Sequence, residues 1–369
     1  MLSDDQLAAS LATWLAPRLD TSKVEVSGLA RSGAGNSNDT VVFDAAWDDK
    51  SEKLVVRIQP GADSLYLRPS AAREARVIQA VEAVGTVPVA HVIGIEEDPG
   101  VIGSPFFVMS HVQGRVLSDL PSYHLKGWLV DMEPELRAKH WDDCLKAAVE
   151  ISKIRGLPEL KTDKRPIQEL TELTRATLDW AAKGRDTGLL EIGMQYLEAN
   201  IPDRDDDSLS WGDARPGNVL FNLDGSVAAV LDWEAATLGP AELDLAWWMF
   251  MEYVFGSRTG VAPLEGVPIE ETLITRWEEL MGRPAQDLHW CRVQAAMQMG
   301  LVMLRNRDKQ VARGLITDEA TIHLYNPVTQ VLAEYLGEPV PELSPHFKDL
   351  MRGMQAEKLA KIAAKEAQA

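Results

Sequence analysis

The stretch SLSWGDARPGNVLFNLDGSVAAVLDWEAATLGPAELDLAW, residues 208–247, decides how this chain is read. Val219 to Asn222 and Val227 to Leu231 are strand-like, and Asp224-Gly225 between them is a strong hairpin turn signal. With a two-residue loop Asp232 faces Gly217; with a three-residue loop it faces Asn218. In either register Asn218 and Asp232 end side by side, about 5–8 Å apart at the backbone. An amide oxygen and a carboxylate at that spacing can share one hard cation such as Mg²⁺. Asp213 precedes Asn218 by five residues, across a loop containing Pro216-Gly217, so its carboxylate can enter the same cleft without being a metal ligand. One carboxylate free to deprotonate a hydroxyl, and a carboxylate with an amide to hold a metal on nucleotide phosphates, suit phosphoryl transfer. Singly, each Asp reads as a turn or strand-end residue. Together, D-x4-N, a hairpin and a further Asp form one coherent geometry.

Working outward, the N-terminal side reads as a sheet. Ser3 and Gln6 fit a capping box, with Leu7, Leu11, Trp14 and Leu15 at helical spacing behind them. Strand-like segments follow at 23–30, 39–47 and 53–60, the first two separated by a Gly/Ser/Asn-rich break from Ser32 to Asn38. A helix over 70–85 ends at Gly85, and two more strands are expected at 89–97 and 104–112. The expectation is five antiparallel strands with one inserted helix. After Gly114 helical periodicity dominates: 141–155, 168–183, 187–199, 241–256, 269–281, 287–308, 319–336 and 345–368. The Trp- and Tyr-bearing segment from Pro121 to Glu135 reads as irregular, a lid or insertion.

Composition narrows the classes. The 369 residues carry 37 Lys and Arg against 56 Asp and Glu, a net charge of −19. That balance argues against a nucleic-acid partner, since no surplus of cations displaces phosphate counterions. It is compatible with a cationic small molecule. Two cysteines, Cys144 and Cys291, exclude a disulfide framework. No apolar run is long enough to span a membrane, and no secretory signal opens the chain, so the expected compartment is the cytoplasm. The sequence leaves the oligomeric state unknown.

The motifs resemble the aminoglycoside phosphotransferase family of kinase-like enzymes, in the branch that includes the phosphotransferase domains found with acyl-CoA dehydrogenases. That family's pattern is H-G-D-x4-N, a hairpin, a D-W-E-type metal motif and a downstream D-L-A-W. Here these stand as Trp211-Gly212-Asp213…Asn218, Asp232-Trp233-Glu234 and Asp244-Leu245-Ala246-Trp247. The resemblance implies an α+β, protein-kinase-like fold of two lobes, an antiparallel sheet over 1–112 and a mainly helical lobe over 113–369. It implies Asp213 as catalytic base, Asn218 and Asp232 as Mg²⁺ ligands, Asp244 as a brace of the catalytic loop, ATP as phosphoryl donor and a small-molecule hydroxyl as acceptor, an aminoglycoside or another cationic alcohol among the options.

The family places its phosphate-covering loop where Gly33, Gly35, Ser37 and Asn38 fall. Arg57, flanked by apolar residues on a strand, needs a buried partner, and Glu74 on the following helix is the candidate. Arg57 stands where most kinases have a phosphate-pairing Lys. By the family's architecture the adenine meets backbone groups from Ser110 to Val112. Trp211 replaces the family's His, and its indole can brace the loop by packing and one hydrogen bond. Arg215 is either a phosphoryl-neutralising cation or a solvated one. Trp247 and Trp248 read as core. The competing functions are a nucleotide-binding pseudoenzyme, motivated by Arg57 and Trp211, and an ATP-independent Mg²⁺ hydrolase.

Overall fold

The computed structural model describes residues 2–31, 39–61, 64–119, 122–319 and 321–347. Helix α1 (Asp4–Leu15) starts from the Ser3–Gln6 capping box. Strands β1 (Glu25–Arg31), β2 (Asp39–Trp47) and β3 (Lys50–Ile58) form an antiparallel meander. Helix α2 (Ala71–Val84) follows, ending at Gly85 with φ of 72°. Strands β4 (Val92–Glu96) and β5 (Phe106–Ser110) complete one sheet in the order β1-β2-β3-β5-β4.

Two-residue alternation along these strands sorts their side chains between two cores. Leu54, Val56, Phe106 and Val108 pack with Leu7, Leu11 and Trp14 of α1. Phe107, on the opposite parity, joins Ala75, Ile78 and Val81 of α2 in a core that continues into the helical half. The sheet is therefore sandwiched, and its α2 face looks toward the rest of the chain.

The helical half contains α3 (Pro134–Ser152), α4 (Pro166–Ala182) and α5 (Leu189–Ala199). A short β region interrupts it: β6 (Ser208–Ser210), β7 (Val219–Phe221), β8 (Val227–Val230) and β9 (Thr237–Gly239). Then come α6 (Glu242–Phe255), α7 (Glu270–Met281), α8 (Leu288–Ala312) and α9 (Pro327–Leu336). Met297 is buried where α4, α5, α6, α8 and α9 meet, and Met299 and Met303 pack against that core.

Two expected helix starts shift by several residues. The helix expected at 141–155 begins at Pro134, because Glu133-Pro134 supplies an N-terminal start with proline at N1. The one expected at 319–336 begins only at Pro327, where Asn326 accepts from Val328 N and Thr329 N and completes a capping box with Thr329. The helix expected over 345–368 lies mostly outside the described residues. The acidic run 203–207 is tied down by ion pairs of Arg204 with Glu242 and Asp287 and of Asp203 with Arg165.

One segment of the sheet half reaches down onto the helices. Arg305 of α8 donates from Nε and Nη2 to Ser64 O at 3.2 and 2.9 Å, and its guanidinium lies 3.9 Å over the Trp180 ring. Residues 64–70 thus span from β3 across to the C-terminal helices. Among the described residues no helix is long and apolar enough to cross a membrane.

Candidate active site

The upper wall of the groove comes from β3 and α2. With Leu54 and Val56 committed to α1, Arg57 must face the α2 side. Glu74 sits in the first turn of α2, whose N-cap Ser70 accepts from Arg73 N at 3.1 Å. Arg57 Nη2 lies 2.7 Å from Glu74 Oε1 and 3.1 Å from Asp232 Oδ1. The first contact is the expected pair; the second crosses between the lobes. Burial pushes the Glu74 carboxyl up, and Arg57 counters it. Arg57 Nε is buried with no hydrogen-bond partner among the described residues.

The lower wall is the loop between β6 and β7. Antiparallel pairing of β6 with β9 and of β7 with β8 fixes both ends of this loop and of the 231–236 segment facing it. Gly212 has φ of 86°, and a Cβ there would lie 2.3 Å from Ala235 O, so only glycine fits. Asp244, in the first turn of α6, accepts from Ser210 Oγ at 2.8 Å, Trp211 N at 2.8 Å and Gly212 N at 3.0 Å. Burial pushes its carboxyl up to about 6 against those three donors. Trp211 is fully buried and donates from Nε1 to Leu231 O at 2.7 Å, tying the loop to the end of β8. Gln298 Nε2 donates to Gly212 O at 2.8 Å.

This bracing presents three oxygen-bearing side chains. Asp213 Oδ1 accepts from Trp247 Nε1 at 2.7 Å and from Arg215 Nε at 3.1 Å. Its Oδ2 is the oxygen that neither of these donors occupies. Burial raises the Asp213 carboxyl, Arg215 lowers it, and neighbouring Asp232 raises it. Asn218 Nδ2 donates to Asp213 O at 3.1 Å, and its Oδ1 faces Arg215 Nη2 at 3.4 Å. Val219 pairs with Val230 and Leu231 N donates to Asn218 O at 2.9 Å. At this end the hairpin therefore has the two-residue-loop register, and a bulge between Leu220 and Phe221 absorbs the extra turn residue. Asp232 follows directly, with φ of 62°. In that left-handed conformation, which an aspartate tolerates better than most residues, its side chain meets Arg57.

Two expectations need revision, those for Arg215 and Trp247. Arg215 is neither solvated nor free: it makes a bidentate pair with Asp119 at 2.6 and 3.1 Å and touches Asp213. Ser110 ends β5, where its N donates to His91 O at 2.9 Å and its Oγ accepts from His91 N at 3.0 Å. Val112 lies two residues beyond β5, past the end of the strand. Trp247 is not only core: its indole hydrogen bond to Asp213 was missed. The available signal was its i, i+3 spacing from Asp244, which puts both on one face of α6. Gly33, Gly35, Ser37 and Asn38 lie outside the described residues.

The donor set fits a nucleotide-bound Mg²⁺. Among the described residues no group of three or more His, Cys, Asp or Glu side chains could hold a metal. Mg²⁺ is ordinarily held by one or two carboxylates together with substrate phosphates and water. Asn218 and Asp232 supply two hard oxygens of that kind, and both already face positive charge, from Arg215 and Arg57. The orphaned Arg57 Nε offers a donor of the sort a phosphate oxygen satisfies.

A cavity of about 270 Å³ opens beside the loop, reaching Gly212, Glu234 and Trp247. A second, of about 300 Å³, adjoins it along residues 160–162.

Residues 29–282 match the phosphotransferase enzyme family, APH. Acyl-CoA dehydrogenase family member 11 of Homo sapiens is 28% identical over 264 residues, covering 69% of this chain and 31% of that protein. Family member 10 of Mus musculus is 28% identical over 248 residues, covering 64% of this chain and 22% of that protein. The chain thus spans about a third or less of the length of these relatives. Among solved structures, a "putative aminoglycoside phosphotransferase" from Ralstonia eutropha superposes with a TM-score of 0.66 at 24% identity, covering 89% of this chain and 98% of that one. Choline kinase LicA from Streptococcus pneumoniae gives 0.57 at 13% identity, covering 90% and 99%. A thermostable mutant of aminoglycoside phosphotransferase APH(4)-Ia, in ternary complex with AMP-PNP and hygromycin B, gives 0.54 at 16%, covering 89% and 98%. At these identities the structural likeness speaks for the fold. The family match covers more than two thirds of the sequence, and the chain belongs to the APH phosphotransferase enzyme family, with a protein-kinase-like α+β fold.

Proposed function

We infer that this protein transfers the γ-phosphoryl group of ATP to a hydroxyl of a small molecule. The observation that carries the reading is the gathering of Asp213, Asn218 and Asp232 at one groove, opposite the Arg57–Glu74 pair. Residues 1–112 would hold the nucleotide and 113–369 the acceptor and the catalytic loop. Arg57 would turn its unsatisfied Nε, and part of the fork now on Asp232, to the phosphates. The backbone near Val112 would meet the adenine. Gly33, Gly35, Ser37 and Asn38 would cover the phosphates, as the family resemblance implies.

Asp213 would act as the base. Its Oδ1 is held by Trp247 and Arg215, which leaves Oδ2 to take the acceptor's proton. The acceptor oxygen forms a bond to the γ-phosphorus as the bond to the β–γ bridging oxygen breaks. ADP leaves with that electron pair, and the acceptor's proton passes to Asp213 and then to water. Asn218 and Asp232 would hold Mg²⁺, which when bound supplies charge neutralisation on the phosphate oxygens.

The Arg57–Asp232 contact favours a second reading, a nucleotide-binding module without transfer, because it occupies a proposed metal ligand. ADP release from Mg·ATP, followed with a panel of alcohols, sugars and amino alcohols, separates the two. Acceptor-stimulated release that disappears in Asp213→Asn and in chelator supports transfer. Tight ATP binding with no turnover on any acceptor supports the module.

A further inference from the structure

The cavity beside the catalytic loop has a definite chemistry. Leu65 and Leu67 form its roof, Leu170 and Leu173 one wall, and Leu301 and Val302 another. Trp247 joins it to Asp213, since the same indole that lines the cavity donates to Asp213 Oδ1 at 2.7 Å. The polar side chains between these apolar ones already hold bonds within the protein. Thr177 Oγ1 donates to Leu173 O and Thr174 Oγ1 to Leu170 O. Gln294 Nε2 donates to Thr174 Oγ1, and Gln298 Nε2 to Gly212 O.

Two of the lining carboxylates are held within the protein. Asp244 is engaged by Ser210, Trp211 and Gly212, and Glu169 accepts from Thr162 Oγ1 at 3.1 Å. The lining carries three cations, Arg68, Arg73 and Lys161, and four carboxylates, Glu159, Glu169, Glu234 and Asp244. An aliphatic surface placed against the leucines is removed from water, and that burial favours binding.

We propose that the acceptor is an alcohol on an aliphatic body, seated in this cavity with its hydroxyl toward Asp213. This deepens the phosphotransfer reading and rests on it. The roof segment 64–70 is clamped to α8 through Arg305 and Ser64, which fixes Leu65 and Leu67 over the cavity.

The test compares kcat/KM with Mg·ATP for 1-hexanol, 1-octanol, choline and kanamycin. Expected is at least a tenfold preference for the alkanols. Leu173→Glu, which sets a charge on a half-buried wall position, should raise the alkanol KM at least tenfold. Leu173→Ala, a milder change, should shift preference toward longer or branched chains. Preference for kanamycin or choline, or indifference of alkanol KM to both substitutions, overturns the proposal. Saturation-transfer NMR with 1-octanol separates the two layers of the argument. Saturable binding lost in Leu173→Glu, without turnover on any acceptor, sinks the phosphotransfer reading but keeps the cavity assignment. No binding of 1-octanol by the unmodified protein sinks the cavity assignment itself.

Discussion

Arg57 joins the two lobes at one atom: its Nη2 lies 2.7 Å from Glu74 on the sheet side and 3.1 Å from Asp232 on the helical side. A single buried guanidinium thus balances two carboxylates from elements about 160 residues apart in sequence. The same contact links the nucleotide wall to the proposed metal ligand.

Removing that charge should be felt in stability and in nucleotide binding. Arg57→Met leaves two carboxylates without the cation that offsets them, at a cost of about 3–5 kcal/mol, typical of breaking a buried pair. Thermal unfolding measures it. Arg57→Lys keeps the charge but loses the fork, so it should be milder in melting temperature while still raising the KM for ATP about tenfold. Equal ATP KM in all three proteins would contradict the assignment.

The Asp213 carboxyl is tuned by its neighbours, and Trp247 is the one that can be removed quietly. Its indole N–H favours the ionised form, so Trp247→Phe should raise the carboxyl further. The acid limb of the kcat profile should then move to higher pH. A purely structural role for Trp247 would lower kcat evenly at all pH values.

Asp244 makes a separate prediction. Its carboxyl is held up at about 6, above the ordinary value of 3.8, so the folded protein takes up this proton at a higher pH than the unfolded chain. Stability from this group is therefore highest below about pH 4 and is lost as pH rises toward 6. Activity runs the other way, because the three donors from Ser210, Trp211 and Gly212 need the ionised form. Activity should fall as pH drops through 6, and Asp244→Asn, which keeps only one acceptor oxygen, should leave only the acid limb set by Asp213 while lowering kcat. An unaltered limb would show that another group sets it.

Gly212→Ala probes the loop itself. The added Cβ would meet Ala235 O at 2.3 Å and must displace the chain. A stability loss of about 1–3 kcal/mol is expected, as for other strained positive-φ sites. A kcat deficit should accompany it, with ATP affinity much less affected because the nucleotide wall lies on the sheet side.

The parts that the sequence revealed are those set by short-range rules. The 219–230 hairpin places Asn218 beside Asp232 through strand register alone, and parity along β3 turns Arg57 toward α2. The capping residues Ser3, Ser70 and Gly85 mark helix ends locally. What stayed hidden depends on packing between distant segments. Trp247 meets Asp213 only once α6 lies beneath the loop. Arg215 finds Asp119 from 96 residues away, and Arg305 holds Ser64 from 241 away. The cavity chemistry is of the same kind: its leucines come from the roof segment, α4 and α8, and no spacing in the sequence announces that they converge.

The most direct measurement is a ³¹P NMR spectrum of the protein incubated with Mg·ATP and an alkanol acceptor. The account predicts a phosphomonoester signal that grows in equal amount with ADP and is reduced about 10²–10⁴-fold in rate by Asp213→Asn. Formation of the ester at an equal rate in Asp213→Asn, or ADP accompanied only by inorganic phosphate, would contradict it.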